Sequence, residues 1–132
     1  MNNYTEYLEM PLSLTLDQMT DLHAQMLTEI DTDEDAIELY EELMAQATKY
    51  ANFRANWCLW SREEKITNDP SRSYCHDSLI VKFNMLARYL RMTGASANWR
   101  DVLGDEKADP YVRKRIGDFA CYIVFINSLC SR

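Results

Sequence analysis

Residues 33–66 read DEDAIELYEELMAQATKYANFRANWCLWSREEKI, and the fold class turns on them. Ile37, Tyr40, Met44, Ala47, Ala51 and Cys58 fall on one stripe at helical spacing. Leu39, Leu43, Tyr50, Phe53, Trp57 and Trp60 form a second. Asp31, Asp33 and Asp35 supply N-cap candidates, and their charge suits the positive end of a helix dipole. No Gly or Pro interrupts the run until Pro70. The pattern predicts one long central helix over about 33–66. At 1.5 Å per residue it would span roughly 50 Å, more than a domain of this size usually needs, so it is expected to bend or to break in two at a point the pattern does not mark. The aromatic density of its second half marks the core.

Toward the N-terminus, Thr15-Leu-Asp-Gln18 has the form of a capping box, and Leu16, Met19, Met26, Leu27 and Ile30 follow at helical spacing. This predicts a helix over 16–29. Residues 1–14, with Tyr4, Tyr7 and Leu8 ahead of Pro11, read as a loosely packed arm. In the other direction, Asn68-Asp-Pro70-Ser reads as a break. Leu79, Phe83, Leu86 and Leu90 then predict a heavily buried helix over 74–93, closed by Gly94. A short helix over 96–103 ends at Gly104, and Asp109-Pro110 opens a last helix to about residue 129. With only three glycines and three prolines, the chain lacks the turn residues a sheet of this length consumes. The expectation is an all-α, single-domain bundle of four to five helices over 1–132, with the long helix and the helices at 74–93 and 110–129 making the core.

The net charge of −7 is unevenly spread. Residues 1–48 carry twelve carboxylates and no Lys or Arg; residues 49–132 carry the other nine acids and all fourteen bases. The acidic and basic halves are expected to pack together and neutralise each other. A sharper reading has the acidic half covering a basic surface or meeting a basic partner, so nucleic acid is not expected while that half is docked. Residues 1–10 hold two acids and no base, unlike a secretory signal. The apolar run 119–126 is far short of the ~20 residues a membrane span needs. Cys58, Cys75, Cys121 and Cys130 show no zinc spacing, which leaves reduced thiols and a cytoplasmic location as the expectation. A zinc site from Cys58, Cys75 and His76 has no local spacing to recommend it. No P-loop, dinucleotide-binding or nucleophile-elbow motif occurs, and no metal or cofactor is expected.

His23 sits among apolar positions and reads as structural. Chemistry, if any, gathers around His76. Asp77, Asn84, Arg88 and Arg91 fall on one side of the helix at 74–93, Arg72 lies one turn before His76, and the last helix offers Arg115 and Asp118. One reading makes this a solvated edge with local ion pairs. The other makes it a pocket between the two helices, with His76, Asp77 and Asp118 as candidate catalytic groups and Arg72, Asn84, Arg88 and Arg115 as candidate ligand-binding groups. His76 would be the acid/base, since it alone titrates near neutrality, and the arginines would hold an anion. His-Asp metal hydrolases need more histidines than the chain has, and Arg72 to His76 is one residue short of the Arg-x(4–6)-His spacing of a helical ribonuclease. Gly117, inside the last helix, predicts close approach of another helix backbone.

Arg72, His76-Asp77, Ile80, Asn84, Leu86, Arg88, Trp99-Arg100, Leu103-Gly104-Asp105 and above all residues 116–121 (Ile-Gly-Asp-Phe-Ala-Cys) resemble a family of small, functionally uncharacterised bacterial and phage-associated helical proteins. The resemblance covers about residues 70–125. It implies a helical fold and a bacterial origin, and no activity. The expected function is that of a non-catalytic interaction or regulatory protein, a homodimer formed through an exposed apolar strip of the long or the last helix, or the binder of another protein. The alternative is a small enzyme or anion/nucleotide-binding protein built on the cluster around His76.

Overall fold

Thr15 and Gln18 close the box their spacing predicts. Gln18 N donates to Thr15 Oγ1 at 3.1 Å, and Thr15 N donates to Gln18 Oε1 at 2.8 Å. Helix α1 (Leu16–Ile30) follows. In the computed structural model, which describes residues 14–57, 59–104 and 110–130 (backbone only at 110–114 and 129–130), four more helices come after it. These are α2 (Glu34–Trp57), α3 (Arg62–Met92), α4 (Asn98–Leu103) and α5 (Pro110–Cys130). The fold is an all-α bundle, with no strand among the described residues. The arm expected over 1–14 lies, apart from Leu14, outside the described residues, as do Cys58 and the Asp109 cap.

Asp33 starts α2 by accepting from the backbone N–H of Asp35 and of Ala36, at 3.0 and 3.2 Å. The Tyr89 phenol of α3 donates to the same carboxylate at 2.8–2.9 Å. That bond holds the Asp33 carboxyl below its usual range and, from the other side, pushes the Tyr89 phenol up to about 12.

The long helix is present, but it is α3 and not the stretch 33–66. The chain turns after Trp57, with Leu59 N bonded to Asn56 O. Ser61 then opens α3 with a capping box: Glu64 N donates to Ser61 Oγ at 3.2 Å and Ser61 N to Glu64 Oε1 at 3.1 Å. Pro70, expected to break the chain, lies inside α3. It removes the bond its N–H would give the Ile66 carbonyl, which costs roughly 3 kcal/mol. The cap offsets about 1 kcal/mol; the packing of α3 downstream offsets the rest, since Leu79, Phe83, Leu86 and Leu90 are all buried.

Helices α2, α3 and α5 make the core, as their apolar stripes predict. Leu43, Ala47 and Tyr50 meet Leu79, Phe83 and Leu86 from α3 and Ile116, Phe119 and Ile123 from α5 in one buried cluster. His23 on α1 is buried there too, its Nε2 3.0 Å from the Tyr40 hydroxyl. Glu29 ties α1 to α4. It accepts from Trp99 Nε1 at 2.8 Å, Ala97 N at 3.0 Å and Ser96 Oγ at 3.2 Å. Ala97, in the left-handed region at φ 50°, gives α4 no side-chain cap, and Glu29 takes its N–H instead. Lys82 and Glu42, 3.5 Å apart, form an ion pair across the acidic and basic halves. Most carboxylates of residues 14–48 face solvent.

Candidate functional site

Four of the seven candidate residues gather in two separate places. The first is the meeting of α2, α3 and α5. Asp118, 1% exposed on α5, accepts from Arg54 Nη2 at 3.0 Å. Arg54 Nη1 donates to the Tyr50 hydroxyl, one turn earlier on α2, at 2.7 Å. Burial pushes the Tyr50 phenol above its usual pKa and the neighbouring Arg54 cation opposes this, so Tyr50 stays protonated at neutral pH. The His76 ring lies against Tyr50, centroids 5.4 Å apart. Gly117 makes the room. A Cβ there would stand 2.7 Å from Tyr50 Oη and 2.9 Å from Arg54 Nη1. The close approach it predicts is therefore real, but side chains and not a helix backbone make it.

A carboxylate buried this deeply needs its cation, because removing one partner of such a pair costs roughly 3–5 kcal/mol. Arg54 and Tyr50 are not among the residues that the sequence reading marks as candidates. Their signal was available: an i,i+4 Tyr–Arg pair on the face that carries Leu43 and Ala47.

The other candidates go elsewhere. Arg72 donates to Asp69 at 2.9 and 3.2 Å and stacks its guanidinium over Trp57, 5.2 Å from the ring centre. Asp77 is exposed. Arg115 donates through Nη1 to the Val102 carbonyl at 3.0 Å, while its buried Nε has no partner among the described residues.

Asn84 and Arg88 lie in the second place, a cleft of about 490 Å³ that they line with Ala87, Arg91, Met92 and Arg100. Arg100 Nε donates to Asn84 Oδ1 and its Nη1 to the Gly104 carbonyl, both at 2.7 Å. Arg91 donates to Ser96 O, Ala97 O and Asp101, the last at 2.8 Å. Arg88 is exposed at the rim. None of His76, Asp77 or Asp118 lines this cleft, so the candidate acid/base and the candidate anion holders are not brought together.

The outer face of α3 carries a further feature. Tyr74, Val81, Met85 and Met92 are 73, 54, 42 and 77% exposed. At roughly 100° per residue they lie within about 20° of one line, an apolar stripe about 27 Å long. The heptad-like spacing 74, 81, 85, 92 is visible in the sequence, yet the expectation of a heavily buried helix hides this outward apolar stripe.

What these features define is a helical bundle with a buried ion-pair network and an apolar outer stripe. No protein-family model, curated protein or solved structure matches the chain. No helix among the described residues is long and apolar enough to cross a membrane.

Proposed function

We propose that this is a non-catalytic interaction protein of the bacterial cytoplasm, and that the outward stripe of α3 is its binding surface. One observation carries the reading. Four large apolar side chains line up on a helix whose opposite face is fully packed, and a stripe of that kind is what one helix offers another. The polar side chains that the sequence offers as catalytic candidates support it indirectly. Asp118 is held by Arg54 across α5 and α2 and Arg115 by a carbonyl of α4, both at helix junctions, while Arg72 pairs with Asp69 within α3. The test places a photo-cross-linking phenylalanine analogue at residue 81 and, as a control, at the exposed Glu38 on α2. Discrete adducts in cells are expected from residue 81 only. Equal yields from both positions would count against the stripe.

A second reading, anion binding, is favoured by the three arginines that line one cleft. It predicts that phosphate or a nucleotide raises the melting temperature and that Arg88→Ala abolishes the shift. No shift at millimolar ligand would exclude it.

A further inference from the structure

We propose that the partner on the α3 stripe is a second copy of this chain, docked antiparallel so that its Tyr74 and Asp77 meet the arginine-lined cleft. This rests on the reading that the stripe is the binding surface. The stripe is self-complementary. Tyr74 and Met92 lie symmetrically about Phe83, and so do Val81 and Met85. A two-fold axis at that point pairs each Tyr74 with Met92 of the second copy and each Val81 with its Met85, so one surface serves both sides of the contact.

Charge fits the same register. Asp77 projects about 60° to one side of the stripe and Arg88 about 40° to the same side. An axis perpendicular to both helices keeps each flank on its own side, so Asp77 comes beside Arg88 of the second copy, twice in the dimer. Both residues are exposed in the single chain. Paired charges of this kind at an interface rim fix register and partner choice.

Shape adds a third argument. The cleft lies on the flank of Arg88 and reaches Met92. That is the level at which the two-fold delivers Tyr74 of the second copy, the most exposed aromatic ring on α3. Tyrosine suits such a role, since its ring buries against Met92 and the arginine stems while its hydroxyl stays in a polar rim. The Asp77 carboxylate then supplies the anion that the cleft faces.

The contact is small, a single helix pair, so a dissociation constant on the order of 10 µM is expected, well short of an obligate dimer. Sedimentation equilibrium on the full chain, from about 5 to about 500 µM, tests it. The wild type should dimerise. Val81→Glu should be monomeric with unchanged circular dichroism and, below about 1 µM where the wild type is itself monomeric, an unchanged melting temperature, which separates loss of contact from loss of fold. Asp77→Arg and Arg88→Asp should each weaken the dimer about tenfold, and the double variant should recover to within about threefold of wild type.

A dimer indifferent to Val81→Glu, or a double variant weaker than either single one, would overturn the proposal. So would a monomer at the highest concentration. If that monomer still gave an adduct from residue 81 with a different protein, the interaction reading would stand and only the second copy would be lost. A cross-link from residue 81 to residues 1–13 of the same chain would also overturn it.

Discussion

Gly117→Ala sets two effects of known size against each other. Alanine gains about 1 kcal/mol over glycine inside a helix. Against that, the new methyl carbon would stand 2.7 Å from Tyr50 Oη and 2.9 Å from both Arg54 Nη1 and Tyr50 Cε1. Those contacts must open by more than half an ångström to reach ordinary packing distance. Side-chain ends usually yield cheaply, but these are pinned. Tyr50 is 2% exposed and lies against His76, and Arg54 is bonded to both Tyr50 and the buried Asp118. Overpacking a fixed site costs about 1–3 kcal/mol, and loosening a charge-assisted hydrogen bond forfeits only part, about 1 kcal/mol, of what the whole bond is worth. The clash wins, and a net loss of about 1–3 kcal/mol is expected. For a chain of this length that lowers the melting temperature by roughly 5–15 °C. Urea denaturation and calorimetry measure it. Tyr50→Phe removes the nearest atom, so the Gly117→Ala/Tyr50→Phe double variant should lose at least about 0.5 kcal/mol less than the two singles together. If Gly117→Ala is instead more stable than wild type by its helix propensity, the Tyr50–Arg54–Asp118 network is not the rigid element described here.

Asp118→Asn leaves the Arg54 cation facing a neutral amide and should cost about 3 kcal/mol in urea unfolding; a loss below ~1 kcal/mol would mean that Arg54 simply turns to solvent. Burial lowers the His23 pKa from 6.5. The unfolded chain therefore takes up this proton first as pH falls, and the stability tied to the neutral ring is present above 6.5 and lost on descending to the folded value. The urea midpoint should drop between about pH 7 and 5, and His23→Gln, which keeps an acceptor for Tyr40, should flatten that slope; an unchanged slope would assign the effect to other groups. Glu29→Ala strips the acceptor from the buried Trp99 indole and from Ala97 N–H. A loss of about 1–3 kcal/mol is expected, with near-ultraviolet circular dichroism reporting a looser Trp99; an intact Trp99 signal would show that α4 stays docked without the carboxylate.

How much of this was legible depends on whether the deciding interaction was local. The Thr15–Gln18 box, the stop at Gly94 and the short helix before Gly104 are written within a few residues each, and all appear at their predicted places. The box at Ser61–Glu64 is just as local. The amphipathic pattern runs through it unbroken and hides it, and Pro70 draws the boundary to itself. Proline is a reliable breaker only when nothing downstream holds the helix, and here the buried face from Cys75 to Leu90 does. At the site, the sequence offers Asp118 only as one candidate polar group of the last helix and Gly117 only as a point of close approach. It does not mark their neighbour Arg54, which sits 64 residues from Asp118 on α2, and helical periodicity carries no information across that distance. Arg115 and Asp118 illustrate the same limit. They are three residues apart on α5, yet one reaches back to α4 and the other across to α2.

The arginine-lined cleft is best weighed by asking what each guanidinium is free to do. A phosphate clamp holds several donors open and aimed at one point, so that the anion replaces nothing when it binds. Here Arg91 is turned onto the carbonyls of Ser96 and Ala97 and onto Asp101, and Arg100 onto Asn84 and Gly104. These bonds fasten the end of α3 to the turn and to α4, making the cleft floor stiff and leaving it lined mainly by Ala87, Met92 and arginine stems. Arg88 alone stands at the rim, beside an apolar stripe. One exposed cation at the edge of a largely apolar hollow is poor equipment for gripping a phosphate. It suits a surface that buries an aromatic ring and pairs one carboxylate at its border, as interfaces between proteins do. That the same chain carries an exposed Tyr74 and Asp77, three residues apart and at the symmetric level of the same helix, is the reason to look first for the partner in a second copy of itself.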